Sequence, residues 1–94
     1  MKLRGTKRLN DFAAKHADAS PALKTWAVMV KAANWKKNTD IRGFFGSASF
    51  LGERRVVFNI KGNKYRLVAD INYEIGTVLV IKIGTHSEYN KWNL

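Results

Sequence analysis

Ninety-four residues carrying a formal net charge of +10 and a sequence pI of about 10.2 allow one domain built on one hydrophobic core. Cysteine is absent and only two histidines occur, which excludes disulfides and thiolate metal sites and argues against a structural zinc centre. The excess of Lys and Arg runs through both halves of the chain, exceeds the roughly 2–8 charges that solubility asks of a small domain, and points to a polyanionic partner: nucleic acid, an anionic membrane surface or an acidic protein.

No apolar run approaches the ~18 residues of a membrane span. The charged start, Met1 to Arg8, is not followed by an apolar stretch, so no secretory signal and a cytoplasmic location are expected. Residues 2–5 are too short to classify and fit an edge strand or a lead-in. A helix is expected from Thr6, with Thr6 as its N-cap and Leu9, Phe12, Ala13 and His16 on one stripe. His16 reads as a cation complementing the helix C-terminus rather than as a ligand or catalyst. Asp18-Ala19-Ser20-Pro21 stops one helix and starts another, with Ser20 as N-cap and Pro21 in the first turn. This second helix is expected over residues 21–33, its apolar stripe formed by Leu23, Trp26, Ala27, Val30 and Ala33. Trp26 lies inside that stripe and reads as core, not as a base-stacking platform. Trp35 and the lysines Lys31, Lys36 and Lys37 end the helix. Residues 38–53 hold three glycines and a Thr39-Asp40 turn signal, which break any long element. Ser47–Leu51 is read as a short strand with Phe50 facing inward, and Phe44 and Phe45 as anchors of the connection.

From Arg54 the pattern changes to strict alternation. Gly62-Asn63 is read as a two-residue hairpin turn. Counting outward pairs Ile60 with Tyr65, Asn59 with Arg66, Phe58 with Leu67, Val57 with Val68 and Arg55 with Asp70. Directly opposed residues share a face. One face then carries Val56, Phe58, Ile60, Tyr65, Leu67, Ala69 and Ile71. The other carries Arg55, Asn59, Lys61, Lys64, Arg66 and Asp70, with Val57 and Val68 among them. A one-residue slip would bury the charges, so the register is strongly specified. A three-residue loop, Glu74-Ile75-Gly76, leads into the next strand and pairs Tyr73 with Thr77, Ile71 with Leu79, Ala69 with Ile81 and Leu67 with Ile83. On the charged face Val68 then meets Lys82, and Arg66 lies level with Gly84. Thr85 and Glu88 have the spacing of a capping box for a short final helix, on which His86 and Tyr89 share a side. The fold class expected is α+β: two N-terminal helices packed on a three- or four-stranded antiparallel sheet with a short C-terminal helix, one domain over residues 1–94.

Asn59, Lys64, Arg66, Lys82, His86 and Tyr89 are thus brought to one end of the basic face. Arg and Lys clamp phosphate and stabilise a phosphorane-like transition state. A histidine can act as general acid or base, and a tyrosine can stack on a base or donate a proton. RNA supplies its own nucleophile, the 2′-hydroxyl, so its cleavage calls for no metal and no cofactor, and none is expected. On face composition alone, a basic sheet reads as a binding surface before it reads as an active site.

The Phe58-Asn59-Ile60-x-Gly62-Asn63-x-Tyr65-Arg66-Leu67 and Gly84-Thr85-His86-x-Glu88-Tyr89 strings resemble the signature half of the HigB-type toxins, within the RelE superfamily of mRNA interferases. The resemblance continues more loosely through Asp18-Ala19, Trp26, Trp35-Lys36, Asp40-Ile41 and Ser47-Ala48-Ser49-Phe50-Leu51. Asn38-Thr39 departs from it, standing where a proline-containing connection is expected. The resemblance implies a RelE-like fold and endonucleolytic cleavage of mRNA, typically on the translating ribosome, by 2′-hydroxyl attack that leaves a cyclic phosphate. It also implies a helix-turn-helix antitoxin of the HigA type that blocks activity and represses the shared operon. Arg66, His86 and Tyr89 match motif positions and become the catalytic candidates: Arg66 on the scissile phosphate, His86 in proton transfer, Tyr89 stacking or orienting a base. Arg55, Asn59, Lys61, Lys64 and Lys82 would hold the RNA backbone, on the strength of their face. Two other functions fit the same surface, a non-catalytic RNA-binding module and an interaction protein that docks an acidic partner.

Overall fold

Strand β4 (Tyr65–Asn72) is almost wholly buried, and the other elements are arranged around it. The computed structural model describes residues 1–93. On one side of β4 runs β3 (Arg55–Ile60) and then β2 (Ser49–Leu51). On the other runs β5 (Thr77–Thr85) and then β1 (Lys2–Arg4), giving a five-stranded sheet in the order β1-β5-β4-β3-β2. All pairs are antiparallel except β1 with β5, which is parallel. The sheet is therefore mixed and larger than expected. The extra strand comes from residues 2–4, too few to show any periodicity, and its partner lies more than seventy residues away in sequence.

Helices α1 (Thr6–Lys15) and α2 (Ser20–Ala32), joined by a 3₁₀ turn over Ala17–Ala19, close the apolar face. Leu9 and Phe12 from α1 and Leu23, Trp26 and Val30 from α2 join Val56, Phe58, Ile60, Tyr65, Leu67, Ala69, Ile71, Val78 and Val80 from the sheet in one core. Trp26 is 2% exposed and meets Phe58 edge-on at 5.4 Å, which settles its reading as core. Two expected caps are replaced. The N-cap of α1 is Gly5, not Thr6, and α2 follows Ala19 with no side-chain cap, so Ser20 is its first residue. Gly5 is required where it stands. Its φ is +78°, and a Cβ there would lie 2.7 Å from the Val80 carbonyl oxygen, because the chain turns from β1 into α1 directly against β5.

Residues 38–44 form a helix, α3, that glycine content argued against. Ile41 is fully buried beneath it, Trp35 packs against the Phe44 and Phe45 rings, and the Tyr73 hydroxyl donates to the Asn38 side chain. Tertiary burial outweighs the weak propensity of so short a helix. Phe45 reaches the core and stacks edge-on with Phe58, whereas Phe44 is largely exposed. Phe50 is only half-buried.

The β3–β4 register is the expected one from Ile60–Tyr65 to Arg55–Asp70, although the left-handed residues of the tip are Lys61 and Gly62 rather than Gly62 and Asn63. The β4–β5 register agrees only at its far end, where Val68 opposes Lys82, Leu67 opposes Ile83 and Arg66 opposes Gly84. Nearer the turn, Ala69 opposes Val80 and Ile71 opposes Val78. The extra residue is Ile81, a bulge within the strand, and the connecting loop is correspondingly longer. In that loop Asn72 Oδ1 accepts from the amides of Glu74 and Ile75. Val78 and Val80 consequently face the core, and Leu79 is 45% exposed.

Gly5→Ala combines a left-handed backbone with a clash against backbone, and should lower stability by about 2 kcal/mol. The check is the urea midpoint, read against Gly43→Ala, where a Cβ meets nothing within 4 Å.

Candidate nucleic-acid interface

The face of the sheet turned away from α1 and α2 carries Arg55, Val57 and Asn59 on β3, Arg66, Val68 and Asp70 on β4, and Lys82 and Gly84 on β5. Helix α4 (His86–Lys91) folds back over the Arg66–Gly84 end. Its start is fixed by the expected capping box: the Glu88 amide donates to Thr85 Oγ1 at 3.1 Å, and the Thr85 amide donates to Glu88 Oε1 at 2.8 Å. The Thr85 amide holds the Glu88 carboxyl below the usual range, so the box is formed with the carboxylate ionised. Gly84 gives α4 its seat. A Cβ there would come within 2.7 Å of Trp92 Cζ2 and 3.0 Å of Glu88 Oε1.

Arg66 is the centre of this region. It is 8% exposed, and its donors go only to neutral oxygens: Nη1 to the carbonyls of Asn63 at 2.8 Å and Tyr65 at 3.4 Å, Nη2 to Asn63 Oδ1 at 3.1 Å. Three of the five guanidinium N–H groups are thereby occupied. Its Cζ lies 5.6 Å from the centroid of the Tyr89 ring, within cation–π range. No carboxylate pairs with it among the described residues. A buried cation held by dipoles and an aromatic face, without a counter-ion, is an anion site.

The stack continues beyond Tyr89. Trp92 meets the Tyr89 ring edge-on at 5.9 Å, and the Lys82 ammonium lies 5.3 Å from the Trp92 centroid. Two cations and two aromatics therefore alternate over the sheet end, Arg66, Tyr89, Trp92, Lys82. The pairing of Arg66 with Gly84 brings Arg66, Tyr89 and Lys82 together as the sequence indicated. Trp92 went unnoticed there, although it follows Tyr89 by three positions and so continues the same side of the helix.

The remaining candidates lie apart from that stack. Lys61 and Lys64 belong to the hairpin tip, not to the charged face: both pair with Asp18 in the 3₁₀ turn, which also accepts from the Tyr65 hydroxyl at 2.6 Å. The Lys64 hydrogen bond, with those of Tyr65 and Lys61, holds the Asp18 carboxyl well below the usual carboxylate range, and the Lys64 and Tyr65 pKa values are raised in return. His86, the first residue of α4, is exposed and lines an open cleft of about 740 Å³ with His16, Asp18, Asn63, Lys64 and Ser87. His16 is stacked on Phe12 at 4.3 Å, so it packs as an aromatic at the helix end. Asn63 borders the His86 cleft and also grips Arg66, which makes it the link between the two regions. The Asn59 amide points at the Ser47 carbonyl from 3.5 Å. Asp70, opposite Arg55, is paired with Arg54 at 3.0 Å, leaving Arg55 without a carboxylate among the described residues. Among those residues no group of three His, Asp or Glu could hold a metal ion, and no helix is long and apolar enough to cross a membrane.

Comparison with known families finds a match over residues 19–92 to HigB_toxin, the RelE-like toxic component of a toxin-antitoxin system. No curated protein matches the chain.

The Asp18 tether predicts a titration. Ionising Tyr65 removes a hydrogen bond to Asp18 and sets two negative charges together, which is why the phenol pKa is raised. Asp18→Asn should return one of the three tyrosines toward the ordinary value near 10, read from phenolate absorbance, while Asp11→Asn leaves the curve in place.

Proposed function

The chain belongs to the HigB toxin family, RelE-like toxic components of toxin–antitoxin systems, and from that premise we propose that it is a metal-independent endoribonuclease that cuts mRNA on the translating ribosome. Membership brings an antitoxin partner; a helix-turn-helix protein of the HigA type is the proposed one, with both proteins in the cytoplasm. The single observation that carries the nuclease reading is Arg66, a buried guanidinium facing neutral oxygens and an aromatic ring, with two N–H groups left for an anion.

In the proposed reaction the 2′-hydroxyl of one nucleotide attacks the adjoining phosphorus. Its proton passes to a base, the bond to the 5′-oxygen of the next nucleotide breaks, and that oxygen is protonated as it leaves. The products are a 2′,3′-cyclic phosphate and a 5′-hydroxyl end. Arg66 would stabilise the charge that builds on the phosphoryl oxygens, and Tyr89 would hold the guanidinium in place and border the base. His86, across Asn63 from Arg66, is the proposed proton-transfer group. Arg55, Asn59 and Lys82 would contact the backbone along the sheet face. Lys61 and Lys64, already engaged by Asp18, would do so from the hairpin tip.

With purified protein and translating ribosomes, new 5′-hydroxyl ends should be mapped on the mRNA. Arg66→Ala should reduce cleavage by about 10²–10³-fold and His86→Ala by about 10²–10⁴-fold, each with unchanged circular dichroism. RNA binding without new ends would instead support a non-catalytic binding module on the same surface. Full cleavage by both folded variants would remove Arg66 and His86 from the site.

A further inference from the structure

Tyr89 is poorly placed to receive a base, because the Arg66 guanidinium already covers its ring and Trp92 abuts its edge. The next aromatic in the series is different. Trp92 is half-buried, backed by the bare backbone of Gly84, and borders two open clefts. One lies toward Leu51 and Asn90, and the other along the β5 edge toward Arg8 and Lys15. The ring face is occupied by Lys82 alone, an exposed side chain on a flexible stem. A lysine in that position can leave the ring for a phosphate without breaking a hydrogen bond or ion pair among the described residues.

We propose that Trp92 is a nucleobase-stacking platform for single-stranded RNA, seating a base beside the nucleotide whose phosphate Arg66 holds, while Lys82 shifts from the ring to the backbone. The proposal rests on the nucleic-acid reading of this surface but not on cleavage. An indole offers the largest π-face of any side chain, and stacking on it tolerates every base. The platform therefore gives affinity and position rather than sequence choice. Arg66 and Lys82 flank the two aromatics, so two phosphate contacts bracket one stacking site. Gly84 is part of the device, since any side chain there would lift the indole off the sheet.

Intrinsic fluorescence tests this directly. Of the three tryptophans, Trp26 and Trp35 are each 2% exposed, so contact quenching by a ligand reports Trp92. A short 2′-O-methyl oligoribonucleotide, which binds without being cut, should quench the wild-type protein. Inorganic polyphosphate, an anion with no bases, should bind without comparable quenching. Trp92→Leu should abolish the quenching and weaken oligonucleotide binding by about 5–150-fold, with polyphosphate affinity unchanged; Trp92→Phe should keep most of the affinity. Equal quenching by both ligands, or equal losses for both in Trp92→Leu, would reduce Trp92 to a structural prop for α4. The ligand comparison on wild-type protein decides the matter even if Trp92→Leu fails to fold. Base-dependent quenching without any mRNA cleavage would sink the nuclease reading and leave the platform standing. Cleavage without base-dependent quenching would do the reverse.

Discussion

The extra residue in β5, Ile81, determines what the two sides of the sheet contain. Before it, Val78 and Val80 point into the core opposite Ile71 and Ala69; after it, Ile83 does so opposite Leu67. Without the bulge, strict alternation from Val80 would send Lys82 into the apolar core and Ile83 out to the charged face. With it, Lys82 and Gly84 join Arg66 on one side, and the chain leaves β5 in the direction that folds α4 over them. Bulges twist and re-aim a strand at little cost in pairing. Here the re-aimed half is the one that ends in the candidate site.

The distribution of acidic groups then decides which cations are available to a polyanion. Asp18 is committed to Lys61 and Lys64, Asp70 to Arg54, and Asp11 to Lys7. Glu88 binds its own helix start, and Asp40 accepts from the Lys36 amide. Each carboxylate thus closes a turn, a cap or an edge. None approaches Arg66, Arg55 or Lys82 among the described residues. The few acids are spent on structure, and the sheet end keeps an unopposed positive field that attracts phosphate before any contact forms.

How much of this could be read from the chain depended on whether alternation was informative. Residues 55–71 alternate charged and apolar groups, so the register across the hairpin followed from counting, and Arg66 was correctly placed level with Gly84. In Val78-Leu79-Val80-Ile81 every residue is apolar. The same counting had nothing to distinguish a bulge in the turn from one in the strand. Lys61 and Lys64 were assigned to the charged face because they extend the hairpin pattern, but they lie beyond the last ladder pair, and their long stems bend to an aspartate more than forty positions away. Helix α3 and strand β1 were illegible for a related reason: each is held by partners remote in sequence, Trp35 and Tyr73 for one and β5 for the other. The capping box of α4 was legible because all its chemistry lies within four residues. His86 and Tyr89 were correctly given a common helix, yet the first opens on the cleft shared with His16 and the second on the Arg66 stack.

The site is therefore assembled from two short pieces that would not be ordered alone, a hairpin tip and a six-residue helix. Isolated helices of that length are unstable in water. The tip is tied down by Asp18 and the helix by Glu88, and both carboxyls have pKa values held below the usual range by the groups they bind. A lowered pKa means the ionised form is favoured in the folded protein. The stabilisation is fully present above the unfolded-state pKa and is lost only as pH falls through the folded value. Both tethers are thus intact at neutral pH and fail together in acid. Asn63, which grips Arg66 from the tip, and Tyr89, which covers it from the helix, come from the two tethered pieces. The geometry around the guanidinium consequently depends on both carboxylates, although neither touches it.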